Sequence, residues 1–397
     1  MRDDSFRCWV PFPDVPVAHA AAGPLKGLTL AVKDLFDVKG YPTGAGSPHV
    51  LAMSGIKKAH APLVSTFLKA GARFVGKTVT DELAFSLNGK NAHFGSPINA
   101  AAPERITGGS SSGSASAVSA RLADVALGTD TGGSVRAPAS YCGLFGIRPT
   151  HGRLSLKGCW PLADSFDTAG FFTRDGTAFT RVADAVLGKD KAPLPATPRL
   201  LLADDMFRLA VPGAETILRD VVMRLALTMG DIASVSLTKD IDALYWAFRF
   251  LQGREAWEAD GDMIDRFNPP LGPGVAERFA FARTITDEQV DTATKTRNDC
   301  RAALKKLLGK DGVILMPTVP DVAPLTTTNE ADLDDFRNRA LRLLCPSGLT
   351  GFPQISMPVA QRDGAPLGLS ILGPPGSDLS LCHLASRIEA AARLRIA

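Results

Sequence analysis

Residues 108–149 read GGSSSGSASAVSARLADVALGTDTGGSVRAPASYCGLFGIRP, and the fold turns on whether the first seven are a tether or a built element. Gly/Ser tracts are commonly flexible linkers. A linker is flanked by polar, loosely ordered sequence, whereas this one runs into small and apolar residues that suit close backbone packing. From Ala115 the chain alternates a small-residue helix (ASAVSARLA), a strand (VALGT), a Gly-rich turn (DTGGS), a helical patch and a strand (GLFGIRP).

The same alternation extends outward. GLTLAVKDLFDVKG (27–40) is a strand entering a charged turn, and APLVSTFLKAGARFVGKT is a helix and a strand, with Leu63, Phe67 and Leu68 at helical spacing and Gly71 as the stop. Downstream, PRLLLADDMF (198–207) is a strand before the helical AETILRDVVMRLALTMG. Residues 240–308 read as helices broken at FNPPLGPG (267–274). GVILMPTVP (312–320) is a strand, FPQISMPVAQRDGAPLGLSILGPP (352–375) a hairpin about Arg362-Asp363-Gly364, and LSLCHLASRIEAAARL a closing helix. Repeated alternation argues an α/β fold with a largely parallel or mixed sheet.

Composition narrows the function. The 397 residues are 45% hydrophobic and 21% charged, as in an ordinary globular chain, and the formal net charge is only +3. No Lys/Arg run with interleaved aromatics points to nucleic acid. No stretch approaches the ~18 apolar residues of a membrane span, and the acidic, Pro-rich N-terminus is unlike a signal peptide. The six cysteines are scattered, with no metal-site spacing, and are expected as reduced thiols in the cytoplasm. Cys142 and Cys345, in apolar surroundings, read as buried small hydrophobes.

Three chemical readings of the opening tract remain beside the linker. A phosphate cradle needs a Lys after Gly113, which is missing. Gly109 to Gly113 matches the G-x-S-x-G of a nucleophile elbow. The residues before it, AAPERIT, make a poor strand, however; His151 leaves no room for an intervening acid, and His383 sits in an amphipathic helix. The third reading rests on the second Gly-Gly-Ser. Asp130-Thr131-Gly132-Gly133-Ser134 follows a credible strand, placing Ser134 on a turn at a strand's C-terminal end, where open α/β sheets bind ligands. Its glycines let backbone N–H groups converge as in an oxyanion hole. Alone, DTGGS would be an ordinary Gly turn. The available base is Lys33, embedded behind Leu30, Ala31 and Val32; burial lowers a lysine pKa toward neutrality, although a lone strand lysine more commonly snorkels to water.

Taken together, these residues resemble the amidase signature hydrolases, which use a Ser, cis-Ser, Lys triad. The segment from Gly108 to Ser155 carries the resemblance most specifically, supported by GLTLAVKDLFDVKGYPTGAGS, TDELAFSLNGKNAHFGSPINA, PLADSFDTAGFFTRD and MPTVPDVAP. It implies a single domain over 1–397 with a central mixed sheet covered by helices on both faces. Within it lie an arm (1–24), a signature core (25–190), a variable, mostly helical substrate-side region (195–310) and a return to the sheet (311–397). It further implies Ser134 as nucleophile, Lys33 as general base and acid, and Ser110 as the bridging serine, 24 positions before Ser134 and following a cis peptide. The oxyanion would rest on amides of Thr131, Gly132, Gly133 and Ser134. Arg136 would either hold a substrate carboxylate or pair with Asp130, the pairing being preferred. The implied reaction is hydrolysis of a small amide to an acid and ammonia without cofactor or metal. The sequence as a whole is similar to plant indole-3-acetamide amidohydrolases, with a short region ahead of Lys33, making an aryl- or indole-acetamide the expected substrate and Tyr245, Trp246, Phe248, Phe250 and Trp257 candidate pocket aromatics, although aromatics at helical spacing more often belong to a core. A homodimer is compatible with the family. The alternatives are a partner-dependent amidotransferase-type subunit and a non-catalytic docking protein.

Overall fold

The computed structural model describes residues 4–393. The first half of the chain runs β1 (Thr29–Lys33), α1 (Pro48–Ser54), α2 (Pro62–Lys69), β2 (Arg73–Thr78), α3 (Ser112–Ser119), β3 (Val125–Asp130), α4 (Arg136–Tyr141), β4 (Phe145–Arg148), β5 (Thr168–Thr173) and α5 (Gly176–Val186). It continues with β6 (Arg199–Ala203), α6 (Asp204–Phe207), α7 (Pro212–Met229), β7 (Ile232–Val235), α8 (Ile241–Phe267), α9 (Val275–Arg283) and α10 (Asp287–Leu308). It ends with β8 (Gly312–Pro317), α11 (Glu330–Thr350), β9 (Gln354–Arg362), β10 (Ala365–Leu372) and α12 (Asp378–Arg393). The first three residues of the arm, and Leu394 of the expected closing helix, lie outside the described residues.

One ten-stranded sheet has the order β2-β1-β3-β5-β4-β9-β10-β8-β6-β7. It is mixed. Strands β2, β1 and β3 are parallel at one end and β8, β6 and β7 at the other, with antiparallel ladders through β5, β4, β9 and β10 between them. Alternate side chains of β8 show that both faces are covered. Val313 and Leu315 join a core with α2, α5, α7 and α12, whereas Ile314 and Met316 join one with α8, α10 and α11. Strands buried on both faces read as continuous apolar runs, as LTLAV and GVILM do.

Helix starts follow local chemistry. Asp240 accepts from the Ala243 amide at 2.9 Å to open α8, and Thr286 and Gln289 form a capping box on α10. The break at 267–274 falls between α8 and α9 as expected. At the edge, Trp9 bridges Thr78 antiparallel, with Val10 N–H donating to Lys77 O (3.0 Å) and Val79 N–H to Cys8 O (3.0 Å), so the arm lies along β2. Among the described residues no helix is long and apolar enough to cross a membrane.

The structure adds elements that periodicity did not reveal. Strand β5 contains Gly170, where a Cβ would run into the Ile147 carbonyl of β4, so the ladder requires glycine here at the expense of strand-like composition. Helix α11 has a polar first half and contains Pro346, which reads as a breaker. The Arg342 carbonyl faces no N–H on Pro346 and instead accepts from the Cys345 thiol at 3.7 Å.

Candidate active site

The parallel strands β1 and β3 deliver their C-terminal ends to one place. Lys33 ends β1 and is fully buried; its Nζ lies 2.8 Å from Ser110 Oγ and 2.8 Å from Thr129 Oγ1 on β3. Burial lowers its pKa to about 8, against the opposing pull of Asp81, Cys159, Asp167 and Asp130. Lys77, one strand over, is equally sealed but pairs with Asp34 at 2.6 Å. Among the described residues no carboxylate lies within ion-pair distance of Lys33.

The Gly/Ser tract is sewn into the core and is no tether. The Gly109–Ser110 peptide is cis. The Ser110 carbonyl accepts from Asp81 N–H (3.1 Å) and Thr80 Oγ1 (2.9 Å), and Gly109 N–H donates to Leu87 O (2.9 Å). A Cβ at Gly109 would meet the Asp81 carboxylate. The elbow reading fails on geometry: Ser111 Oγ donates to Thr129 O (3.2 Å), His151 Nε2 lies at Asp164 O (2.9 Å), and His383 Nε2 at Asp184 Oδ1 (2.8 Å). Ser114 Oγ donates to Leu127 O (2.8 Å), tying α3 to β3.

Ser134 sits on the turn between β3 and α4, and its carbonyl accepts from Ser111 N–H at 3.3 Å. Among the described residues its hydroxyl makes no hydrogen bond, leaving it available. Gly133 adopts φ +123°, in the region that favours glycine, and Leu344 packs where a Cβ would stand. Its amide, carried over as an oxyanion donor, is directed elsewhere, to Asp130 Oδ1 at 2.9 Å. The amides of Thr131, Gly132 and Ser134 have no such partner among the described residues. Arg136 is fully buried and bidentate on Asp130 (Nε–Oδ2 3.0 Å, Nη2–Oδ1 2.8 Å), with Nη1 on Leu344 O (2.9 Å). It has no reach to a substrate; it fixes the turn.

Sequence reasoning missed several supporting groups. Arg148 Nη1 reaches Asp130 Oδ1 at 3.1 Å; burial lowers its pKa to about 10, and the two arginines hold Asp130 below the ordinary carboxylate range despite its burial. Asp167, raised by burial, accepts from Thr131 Oγ1 (2.5 Å) and from the Leu162 and Ala163 amides (2.8 and 3.1 Å). A cavity of about 60 Å³ opens beside Thr129 and Thr131, walled by Leu35, Leu156, Trp160 and Leu162. An adjoining cavity of about 220 Å³ shares Pro161 and Asp164 with it. Of the five expected aromatics, Phe248 reaches the turn, lying 2.7 Å from where a Gly132 Cβ would be. Tyr245 is buried on the same helix, and Trp246 is 46% exposed. No signal in the sequence marked Arg148 or Asp167, which meet the site only through the antiparallel β4–β5 pair.

Comparison with known proteins agrees with this geometry. The family model described as Amidase matches residues 14–219 and 260–382. The chain is 39% identical to "Amidase 1" of Arabidopsis thaliana, over 94% of this chain and 96% of that one. It is 34% identical to "Outer envelope protein 64, chloroplastic" of the same plant, over 92% of this chain and 67% of that one. A solved structure described as an amidase superposes with a TM-score of 0.83 at 32% identity, covering 93% of this chain and 85% of the other. In sequence and in fold alike, the chain belongs to the amidase family and is an amide-hydrolysing enzyme.

Proposed function

We propose that the protein hydrolyses the C–N bond of small carboxylic acid amides to the acid and ammonia through Ser134, Ser110 and Lys33. The observation that carries this reading is a sealed lysine, held near pKa 8 and without a carboxylate partner among the described residues, 2.8 Å from Ser110 Oγ. Neutral Lys33, with one N–H on Thr129 Oγ1, turns its lone pair to Ser110. Ser110 gives up its proton to Lys33 and takes one from Ser134, whose Oγ bonds to the amide carbonyl carbon. The resulting oxyanion rests on the amides of Thr131, Gly132 and Ser134, each such donor being worth about 3 kcal/mol in comparable sites. The tetrahedral intermediate collapses as the proton returns through Ser110 to the leaving nitrogen, and the C–N bond breaks. Water, deprotonated by the same relay, attacks the acyl-Ser134 ester and releases the acid. The contact between Ser134 and Ser110 closes when substrate binds, as is common for hydrogen bonds of unliganded sites.

The apolar walls of Leu35, Trp160 and Leu162 suit an uncharged acyl group. A short chain fits the smaller cavity, and an aryl- or indole-acetamide extends past Pro161 into the adjoining one. A cytoplasmic setting belongs to the same proposal and draws on six free thiols. The test is ammonia release from a panel of aliphatic amides, phenylacetamide and indole-3-acetamide. Wild-type release is expected, with Ser134→Ala lowering kcat at least about a thousandfold; full activity in that variant overturns the assignment. A partner-dependent amidotransferase-type or docking role requires instead that no amide in the panel be cleaved by the isolated chain.

A further inference from the structure

Asp167 lines the cavity beside the catalytic turn, yet the proposed relay gives it no proton to move. It immediately precedes β5, is 6% exposed, and faces the same space of about 60 Å³ as Thr131, Trp160 and Leu162. Three donors converge on its carboxylate: Thr131 Oγ1 on Oδ1 at 2.5 Å, and the Leu162 and Ala163 amides on Oδ2 at 2.8 and 3.1 Å. Hydrogen bonds to a carboxylate are charge-assisted and stronger than those between neutral groups. This one side chain therefore ties two segments of the cavity firmly together.

The two segments meet different parts of a substrate. Thr131 belongs to the turn after β3 that carries Ser134. Residues 160–163 wall the cavity with Trp160 and Leu162, and Trp160 N–H donates to Leu35 O at 2.9 Å, two residues past Lys33. Arg148 braces the junction with Nη1 on Thr131 O (3.1 Å) and Nη2 on Phe166 O (2.6 Å), and Thr168 Oγ1 donates to Asp130 O at 2.9 Å. The backbone frame is thus held at the ends of β3 and β5. Within that frame, the side chain that lines the cavity and bonds to both the wall and the turn is Asp167.

We propose that Asp167 is a positioning residue: it couples contact between the acyl group and the 160–163 wall to the alignment of the Thr131 amide, so that acyl length is read in kcat as well as in KM. An oxyanion donor contributes only when it is aimed at the developing charge, and the Thr131 peptide is steered by a side chain whose hydroxyl is held at 2.5 Å. A chain long enough to press on Trp160 and Leu162 sets the Leu162 and Ala163 amides, and through them Asp167 and Thr131, in the productive arrangement. Binding energy from a non-reacting part of the substrate is thereby used at the reacting carbon. The coupling rests on Ser134 as nucleophile and Thr131 as oxyanion donor, as proposed above.

The test is steady-state kinetics of the full chain on acetamide, propionamide, butyramide and hexanamide, for wild type, Asp167→Ala, Thr131→Val and the double variant. Thr131→Val removes the hydroxyl that Asp167 holds and leaves the backbone amide in place. Wild-type kcat is expected to rise at least about tenfold from acetamide to butyramide. In each single variant kcat for butyramide should fall toward the acetamide value, by at least about tenfold, while KM still decreases with chain length. The double variant should be no slower than the slower single one, because both substitutions cut the same link. Thr131→Ser, which restores the hydroxyl, should recover most of the butyramide advantage; a general loss of packing would not be reversed in this way. If Asp167→Ala does not fold, Thr131→Val and Thr131→Ser carry the comparison. A wild-type kcat indifferent to acyl length, a wild-type length dependence in Thr131→Val, or additive losses in the double variant overturns the coupling. A fully active Ser134→Ala overturns instead the reading on which the coupling rests, so the two failures are told apart.

Discussion

Lys33 and Lys77 are chemically identical, equally sealed and one strand apart, yet among the described residues only Lys77 has a carboxylate within ion-pair distance. Asp34 faces Lys77 at 2.6 Å, and among the described residues no carboxylate stands so close to Lys33. In the proposed relay the neutral Lys33 amine is the base, and its fraction grows as pH rises through about 8. The kcat/KM profile is therefore expected to climb with an apparent pKa near 8 and then level off. A profile flat from acid to alkaline pH would remove Lys33 from the mechanism. At this scale the sequence was informative where a residue was out of place, as a lysine amid Leu30, Ala31 and Val32 is. Arg148 and Asp167 carried no such mark, because an arginine at a strand end and an aspartate in a loop are ordinary until the sheet brings them to Asp130 and Thr131.

Helix α8 places one buried carboxyl behind the Trp160 wall of the cavity. Asp260 is 1% exposed, accepts from Trp160 Nε1 at 3.2 Å, and leaves its second oxygen without a partner. Burial pushes its pKa up to about 7, so between the ordinary aspartate value and about 7 the folded state keeps a proton that the unfolded chain has released. Stability falls with rising pH across that window. Asparagine keeps the bond to Trp160 and abolishes the fall. Asp260→Asn should gain about 3 kcal/mol over wild type on going from pH ~4 to pH ~8, read by urea unfolding. A difference between the two proteins that stays constant with pH would show that Asp260 ionises freely. Elements were legible where pattern and structure agreed, as in β1, β3, the β9–β10 hairpin and the break between α8 and α9. Strand β5 and helix α11 escaped because tertiary demands overrode local preference: a glycine required against Ile147, and a proline inside a buried helix.

Across the whole molecule, alternation of strand and helix sufficed for the α/β class, but not for the strand order. The pairing of β5 between β3 and β4 joins segments whose partners are set by long-range ladders that no local pattern encodes. A ten-stranded sheet also has two open flanks, and they are protected differently. Strand β7 is four residues long with mixed exposure, too short to template another chain. Strand β2 is longer, and the chain's own Cys8, Trp9 and Val10 pair with the C-terminal end of its free side. The arm thus acts as a built-in stopper against sheet extension from molecule to molecule. Deleting residues 1–12 is expected to yield protein whose light scattering grows with concentration, while a monodisperse monomeric product would show that β2 guards itself. Colloidal behaviour in this enzyme would then be governed by a segment on the opposite flank of β2 from the catalytic strands, and a tag or fusion placed there would alter solubility before it altered turnover.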